Sequence, residues 1–422
     1  MKLTARTFTM LLGTTLLAEL AHAADVRVEP GPDALVRAVE LAGPGDRLIL
    51  ADGSYRGGFV LTRPIAIVGT GNTEVTGTGT GSVITIDAAD VTIEGLKLTG
   101  SGSKHETIDS GVQMTRNATR AIVRDNHIEG NLYGVDIHGA RDALVDNNTI
   151  IGRNDRLMNR RGNGVYVWNA PGARVSGNTV RLGRDGIFVN TSQKNIFTDN
   201  RFEGLRFAIH YMNADDGEVS GNISIGNHLG YAIMFSKRVT MRDNISLDDR
   251  DHGIMLNYAN DAVIEGNAVV GGGEKCLFVY NANKNLIRGN RIEGCEIGIH
   301  FTGGSAKNEI TGNAFVGNRT QIKFVSTRDH VWSGNYWSDH AAYDVNGDGI
   351  ADQAFRPNDA MDQVLWTQPS AKLLLGSPAI QLVRWAQSEF PALLPGGIVD
   401  DRPLMKPHEL PETARNWKAS LQ

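Results

Sequence analysis

A short motif of the form V-x-x-N-x-I returns along most of the chain and limits the folds open to it. Its asparagines are Asn126, Asn148, Asn178, Asn200, Asn222, Asn244, Asn267, Asn290, Asn313 and Asn335. Eight of the nine spacings between them are 22 or 23 residues, and the remaining one is 30. A repeat of this length is typical of one coil of a right-handed parallel β-helix, where stacked coils bury a continuous apolar face. The predicted fold class is therefore all-β.

The repeated asparagine has a structural role in such a stack. An amide side chain at the same turn of every coil can donate and accept along the axis, which satisfies turn backbone that would otherwise be buried unpaired. The long spacing between Asn148 and Asn178 predicts a loop near residues 153–160. Residues 33–42 have the apolar spacing of a short helix, which Asp33 could cap and which would cover the open end of the solenoid.

The chain divides into five segments by composition and pattern. They are a cleaved secretory signal (1–23), an N-terminal cap (24–60), the parallel β-helix (61–340), an acidic Asx-rich loop (341–365) and a C-terminal extension for partner contact (366–422). Lys2, Arg6, a short apolar stretch and a small-residue end at Ala23 are typical of a signal peptide. No later stretch is apolar enough to span a bilayer. We therefore expect a soluble periplasmic protein.

The net charge and the number of cysteines argue against a nucleic-acid partner and against a fold held together by several disulfides. The formal net charge is −5 with no basic run, so nucleic acid is not an expected partner. The two cysteines, Cys276 and Cys295, can form at most one disulfide, and Cys276 can equally be a small buried residue at a tight corner. Backbone ladders and packing must supply most of the stability.

A second strand recurs in each coil and indicates which side chains face outward. In segments such as "AIHYM" at 208, "AIMFS" at 232 and "GIMLN" at 253, the second and fourth positions are apolar and are expected inside. The third and fifth positions vary and are expected outside. Aligned in this way, His210, Met234 and Met255 are vertical neighbours in one outward column, with Met212 beside the first two.

One imidazole and three thioethers on an outer face predict a soft-metal site. These donors suit Cu(I) better than Zn(II), Ca(II) or Mg(II), and thioethers neither need deprotonation nor form disulfides in an oxidising compartment. His300, about 10 Å beyond Met255, is a doubtful ligand. The aromatic residues expected around the patch would limit access of water: Phe188, Phe278, Trp168 and Tyr280. Alternatively, the same apolar surface is a metal-free docking scaffold for a protein partner.

A second candidate ion site follows the last repeat. Asp344, Asn346, Asp348 and Asp352 alternate in the manner of the first part of a calcium-binding loop. The position that carries a bidentate glutamate in an EF-hand is Phe355. A structural Ca(II) site and an Asx-rich turn without an ion both fit this pattern.

The chain resembles the NosD family of periplasmic accessory proteins. The resemblance rests on the asparagine repeats, on "GNYWSDHAAYDVNGDGIAD" and on "GSPAIQLVRWAQSEFPALLPGGIVDDRPL". It implies a non-enzymatic subunit that works with the permease and ATPase subunits of an ABC transporter. It further implies that copper arrives from a lipoprotein chaperone and passes to nitrous oxide reductase during maturation. No motif of the family fixes the ligands, so the copper ligands rest on the outward column alone.

An enzyme acting on acidic polysaccharide is the alternative. The segment "YGVDIH" at 133–138 resembles the Tyr-Gly-x-Asp-Pro-His segment of mannuronan epimerases, with Ile137 in place of the proline. Asp136 and His138 would face outward. An epimerase or lyase also needs a cation near the uronate carboxylate, and the outward columns supply none.

Overall fold

The computed structural model describes residues 23–324, 329–358, 360–374, 376–390 and 397–420. Apart from Ala23, the predicted signal segment lies outside the described residues. The repeats form a parallel β-helix, as the sequence predicts, with strands of successive rungs paired in parallel register such as Val123 with Val145 and Val145 with Val175. None of the helices in the described ranges has the length and apolar character needed to cross a membrane.

Two sheets wrap around one apolar interior. The twelve-stranded sheet contains Phe59–Leu61, Ile84–Ile86, Ser110–Met114, Tyr133–His138, Val165–Trp168, Asp185–Gln193, Phe207–Asp215, Leu229–Met234, His252–Asn257, Lys275–Tyr280, Ile297–Thr302 and Thr320–Phe324. The 25-stranded sheet begins with Asp25–Val28, Arg47–Leu50, Gly53–Arg56, Ala66–Thr76, Thr92–Thr99, Ile122–Arg124, His127–Glu129, Leu144–Asp146, Thr149–Ile151, Arg174–Ser176, Thr179–Arg181, Ile196–Thr198 and Arg201–Glu203. It continues with Glu218–Ser220, Ile223–Ile225, Thr240–Arg242, Ile245–Leu247, Val263–Glu265, Ala268–Val270, Leu286–Arg288, Arg291–Glu293, Glu309–Thr311, Ala314–Val316, Val331–Ser333 and Tyr336–Trp337.

The asparagine ladder forms as predicted. In each rung the side-chain oxygen of one asparagine accepts hydrogen bonds from the backbone and side-chain N–H groups of the asparagine one rung before it. Asn222, for example, donates both to Asn244 Oδ1, at 3.1 Å and 2.9 Å. The Asn222 amide also reaches the carbonyl of Phe197 at 2.9 Å, in the rung before it. Because these asparagines are almost fully buried, the ladder satisfies backbone that water cannot reach.

Both ends of the solenoid are covered. A helix at Ala34–Leu41 buries Leu35 and Val39 at the N-terminal end, in agreement with the sequence. The cap expected from Asp33 is wrong, because its side chain makes no capping hydrogen bond and lies instead 3.9 Å from Arg56. At the other end, buried Asp400 accepts hydrogen bonds from the backbone and side-chain N–H groups of Asn335, which completes the ladder.

Beyond residue 359, the described ranges contain three α-helices and a 3-10 helix, the first of which begins before the predicted C-terminal extension. Their bounds are Ala360–Thr367, Pro369–Leu374 (3-10), Pro378–Glu389 and Glu412–Ser420. The helix Pro378–Glu389 agrees with the helical spacing of residues 379–389, and Ser377 Oγ caps it by accepting from the N–H of Ile380. The last helix packs Ala414 onto outward apolar residues of the 25-stranded sheet such as Leu247, while Trp417 Nε1 donates to Asp248.

Candidate functional site

Two columns of outward side chains run along the twelve-stranded sheet. The central column is Gln113, Asp136, Tyr166, Phe188, His210, Ala232, Met255, Phe278, His300 and Lys323. The lateral column is His138, Trp168, Asn190, Met212, Met234, Asn257, Tyr280 and Thr302. In both columns these residues alternate with fully buried ones along each strand, as the pleat requires.

The register of Met234 differs from the sequence prediction. Ala232, rather than Met234, pairs with His210 on one side and with Met255 on the other. Met234 pairs with Met212 in the lateral column. The prediction that His210, Met234 and Met255 are successive neighbours in one column is therefore wrong.

The cause of the shift is Tyr231, which fills an interior position. It pairs with Ile209 and Ile254, and its buried hydroxyl lies 2.8 Å from the carbonyl oxygen of Asn222. Phe235, expected inside, consequently falls on the turn after the strand and is 45% exposed. An aromatic ring with a satisfied hydroxyl can occupy the interior as well as an aliphatic side chain does.

The corrected register still brings the four predicted donors together around one small residue. In the central column, Ala232 lies between His210 and Met255. In the lateral column, Met234 lies on the same strand as Ala232, and Met212 lies one rung before Met234. The methyl group of Ala232 faces outward but is fully buried, so larger neighbours close over it. We call this arrangement the Ala232 hollow: Ala232 with His210, Met212, Met234 and Met255 around it. The three methionines are half-buried.

Asp185 and Arg206 hold the imidazole of His210 in one orientation. His210 Nδ1 lies 3.2 Å from Asp185 Oδ2, and the guanidinium of Arg206 bonds both oxygens of the same carboxylate at 2.7 Å and 2.5 Å. Burial pushes the pKa of Asp185 upward, but hydrogen bonds from His210 and Arg206 and the positive charge of Arg206 outweigh it, so the pKa lies below its ordinary value. The ionised carboxylate can only accept, so Nδ1 carries the hydrogen, and in a neutral imidazole Nε2 keeps its lone pair.

Two aromatic rings contact His210, and one of them is Phe188, which the sequence predicts to lie next to the patch. The imidazole stacks on Phe188 with ring centroids 4.4 Å apart, and Phe207 meets it edge-on at 5.0 Å. Sequence reasoning missed Asp185 and Arg206. The sequence did carry a signal for them. Asp185 begins an outward strand and pairs with Phe207 of the next rung, and Arg206 directly precedes Phe207.

Exposed aromatic residues form the other edge of the site. Phe235 and Tyr258 stack with centroids 5.1 Å apart and are 45% and 40% exposed. Both have φ of 51°, in the left-handed region, where the corresponding residues of the flanking rungs are Asn213 and Asn281. A bulky side chain in this conformation costs about 1–2 kcal/mol. The strain makes this exposed pair a candidate for a role other than stability.

The cysteines and the acidic loop do not contribute a metal site. Cys276 and Cys295 form a disulfide between neighbouring rungs, with Cα atoms 5.7 Å apart. No group of three His, Cys, Asp or Glu side chains that could hold a metal occurs in the described ranges. The Ala232 hollow contributes a single histidine, and its other donors are thioethers.

The calcium prediction for Asp344, Asn346, Asp348 and Asp352 is not supported. Backbone N–H groups occupy the side-chain oxygens: Gly347 and Gly349 donate to Asp344, and Val345 donates to Asp352. The loop is a series of Asx turns, which is the ion-free alternative that the sequence also allowed. Ile350 and Phe355 of the same segment pair with residues of the C-terminal extension.

Comparison with known proteins identifies the family. Residues 147–342 match the family model described as "Periplasmic copper-binding protein (NosD)". The chain is 39% identical over 379 residues to "Probable ABC transporter binding protein NosD" of Stutzerimonas stutzeri, covering 86% of this chain and 87% of that protein. It is 37% identical over 412 residues to the protein of the same name from Pseudomonas aeruginosa strain PAO1, covering 93% and 95%.

Solved structures share the fold at low identity. A PL6 alginate lyase in complex with a trisaccharide superimposes with a TM-score of 0.59 at 14% identity, covering 78% of this chain and 90% of the lyase. The family 28 exopolygalacturonase of Yersinia enterocolitica gives a TM-score of 0.58 at 11% identity, covering 74% and 78%. These similarities establish a shared solenoid and do not extend to activity. The identity and coverage of the two NosD relatives show that this chain belongs to the NosD family.

Proposed function

We propose that this protein is a periplasmic, non-enzymatic copper-handling subunit of an ABC transporter, and that it binds Cu(I) in the Ala232 hollow. Support comes first from the donors. His210 offers an unprotonated Nε2, and Met212, Met234 and Met255 offer thioethers from the surrounding positions. This is a soft donor set, which favours Cu(I) over divalent ions that prefer oxygen ligands. The family description as copper-binding is consistent with this assignment.

The spacing of the donors suits a single small cation. His210 and Met255 are two rungs apart, or roughly 10 Å between backbones, so a point midway is about 5 Å from each. Both side chains are long enough to reach that point, where the buried methyl group of Ala232 is the smallest side chain between them. The hydrogen bond from His210 Nδ1 to Asp185 is the outer interaction that commonly orients a metal-binding histidine.

The surroundings also suit transfer to another protein. Thioethers are neutral ligands and bind without releasing protons, so a partner can take the ion without a proton transfer at these ligands. The exposed pair of Phe235 and Tyr258 lies next to Met234. Phe235 follows Met234 in the chain, and Tyr258 follows Asn257, which pairs with Met234 in the next rung. We propose that this edge contacts the copper-chaperone lipoprotein and nitrous oxide reductase, which deliver and receive the ion.

The C-terminal extension is the proposed contact with the permease of the transporter. Its 3-10 helix and following helix leave Leu373, Leu382 and Phe390 exposed at 90%, 63% and 59%. Apolar side chains clustered in one exposed segment are typical of a protein contact. The ATPase subunit would then act through the permease. The names of the two curated relatives, which describe ABC transporter binding proteins, support this arrangement.

Competition with a chromogenic Cu(I) chelator tests the site. Purified protein is expected to bind one Cu(I), and His210→Ala and Met234→Ala are each expected to weaken binding at least tenfold. Ala232→Phe keeps every donor but fills the space between them, so it should weaken binding as well. Met158→Ala is the matched control, because Met158 is a half-buried methionine on the 153–160 loop.

Two results would contradict the proposal. Equal Cu(I) affinity in wild type, His210→Ala and Met234→Ala would remove the Ala232 hollow as the binding site. Absence of stoichiometric Cu(I) binding, with the partner proteins still bound, would favour the metal-free docking scaffold.

A further inference from the structure

A second site lies three rungs from His210 on the same sheet. The central column runs from Asp136 through Tyr166 and Phe188 to His210. Beside Asp136 a cleft of about 580 Å³ opens between residues 106–108 and the strand ends. Its lining includes Glu106, Thr107, Gln113, Arg116, His138 and Trp168. A cleft of this size, with polar side chains and one indole in its lining, accommodates a hydroxyl-rich ligand of more than one ring.

Asp136 and His138 form a pair beneath this cleft. Asp136 is fully buried, and its Oδ1 has no hydrogen-bond partner within the described ranges. His138 Nδ1 is likewise covered and without a hydrogen bond, at 4.0 Å from that oxygen. The ring of His138 stacks on Trp168 at 4.3 Å, and its side chain remains 42% exposed. One edge of the imidazole therefore faces Asp136 while the ring itself borders the cleft.

The protonation of this pair follows from its burial. Burial raises the pKa of Asp136 to about 8, against a weak hydrogen bond from Gln113, so the carboxyl is mostly protonated at neutral pH. Burial lowers the pKa of His138, which is then neutral. Nδ1 of His138 is covered, so Nε2 is the ring nitrogen left to face the cleft that His138 lines. In the tautomer with its hydrogen on Nε2, His138 presents a donor to the cleft.

Arg116 supplies the cation that the outward columns lack. It follows the strand Ser110–Met114, and its side chain lines the cleft with His138. It is exposed and has no ion pair with any residue in the described part of the chain. Arg120, four residues later, is by contrast bound to Asp90 at 2.6 Å. Glu106 is the one acidic residue of the lining, so a free guanidinium and a neutral donor face the same space.

We propose that this cleft binds a uronic-acid oligosaccharide, with its carboxylate held between Arg116 and His138 Nε2. A carboxylate accepts hydrogen bonds only, so it matches two donors that have no acceptor of their own. The rest of the cleft is left for the sugar ring and its hydroxyl groups, and it is bordered by Thr107, Gln113 and Trp168. The site is a binding site separate from the Ala232 hollow and requires no copper.

Isothermal titration with a mannuronate trisaccharide tests this site. The neutral trisaccharide cellotriose is the matched ligand control, and Arg120→Gln is the matched protein control. Wild type is expected to bind the uronate trisaccharide saturably and at least tenfold more tightly than the neutral one. Arg116→Gln and His138→Phe should each weaken uronate binding at least tenfold, and Arg120→Gln should leave it unchanged. Thermal melting of each variant shows whether it is folded.

Three results would overturn the proposal. They are no saturable uronate binding by wild type at millimolar concentration, equal affinity for the two trisaccharides, and equal weakening by Arg116→Gln and Arg120→Gln. Because the site is three rungs from His210, failure here leaves Cu(I) binding unaffected, and a protein that binds no copper can still bind the uronate.

Discussion

Replacing Asp185 with asparagine is expected to reduce both stability and copper affinity. Asp185 is fully buried and accepts from Arg206 and His210. An asparagine would place an N–H₂ group against donors and leave the guanidinium without its counter-charge. Removing one partner of a buried ion pair costs about 3–5 kcal/mol. Because the Arg206 side chain is still 25% exposed, we expect the lower end, a loss of about 3 kcal/mol in the free energy of unfolding.

Urea denaturation measures this loss, and its pH dependence gives a second test. The folded-state pKa of Asp185 lies below its ordinary value, so its contribution is fully present above the unfolded pKa and is lost as pH falls through the folded pKa. The difference between wild type and Asp185→Asn should therefore be constant at neutral pH and shrink below about pH 4. Cu(I) affinity should fall by about 10–100-fold, because His210 loses the partner that orients it.

Asp216→Asn is the control for Asp185→Asn. Asp216 also pairs with an arginine, Arg238, at 2.6 Å, but both side chains are at the surface. A surface pair contributes much less than a buried one. If Asp185→Asn destabilises the protein no more than Asp216→Asn does, Asp185 is not the buried electrostatic anchor described here. A large loss of stability with unchanged Cu(I) affinity would separate the ion pair from the copper site.

Three further predictions concern the solenoid. Asn244→Ala removes the acceptor of two Asn222 N–H groups and the side-chain donor to the carbonyl of Val219, so it should cost at least about 3 kcal/mol in urea denaturation, and a smaller loss would contradict the structural role of the ladder. The native state keeps a proton on Asp136 that the unfolded chain releases, so stability falls as pH rises from about 4 to 8. Asp136→Asn should therefore raise the melting temperature more at pH 7 than at pH 4, and the reverse order would refute the buried neutral acid. Replacing both Cys276 and Cys295 by alanine should cost about 3 kcal/mol, since the disulfide closes a loop of 19 residues, and unchanged stability would show that it adds nothing.

The fold could be predicted because one physical constraint repeats in every rung. An asparagine at the same turn of every rung indicates a ladder of hydrogen bonds along the axis. The spacing between successive asparagines gives the length of the rung. The N-terminal helix and the helix at Pro378–Glu389 followed from local apolar periodicity in the same way. These features depend on neighbours in sequence or on the next rung, which a sequence displays directly.

The sequence assigned the four candidate donors to neighbouring outward strands but misplaced Met234 among the columns. Tyr231 shifted the assumed register because the interior accepts an aromatic ring whose hydroxyl finds a backbone acceptor. Asp185 and Arg116 could not be placed, since Asp185 begins a strand and Arg116 follows one, where the alternation of the pleat does not fix the side chain. The acidic loop left two alternatives open because Asx turns and calcium loops use the same side-chain oxygens, and the structure forms the turns.

Anomalous scattering at the copper edge, from crystals grown with one equivalent of Cu(I), tests the central claim most directly. We expect a single strong peak above Ala232, within bonding distance of His210 Nε2 and of sulfur atoms from at least two of Met212, Met234 and Met255. A peak elsewhere on the molecule, or no peak at all, would contradict the assignment of the Ala232 hollow as the copper site.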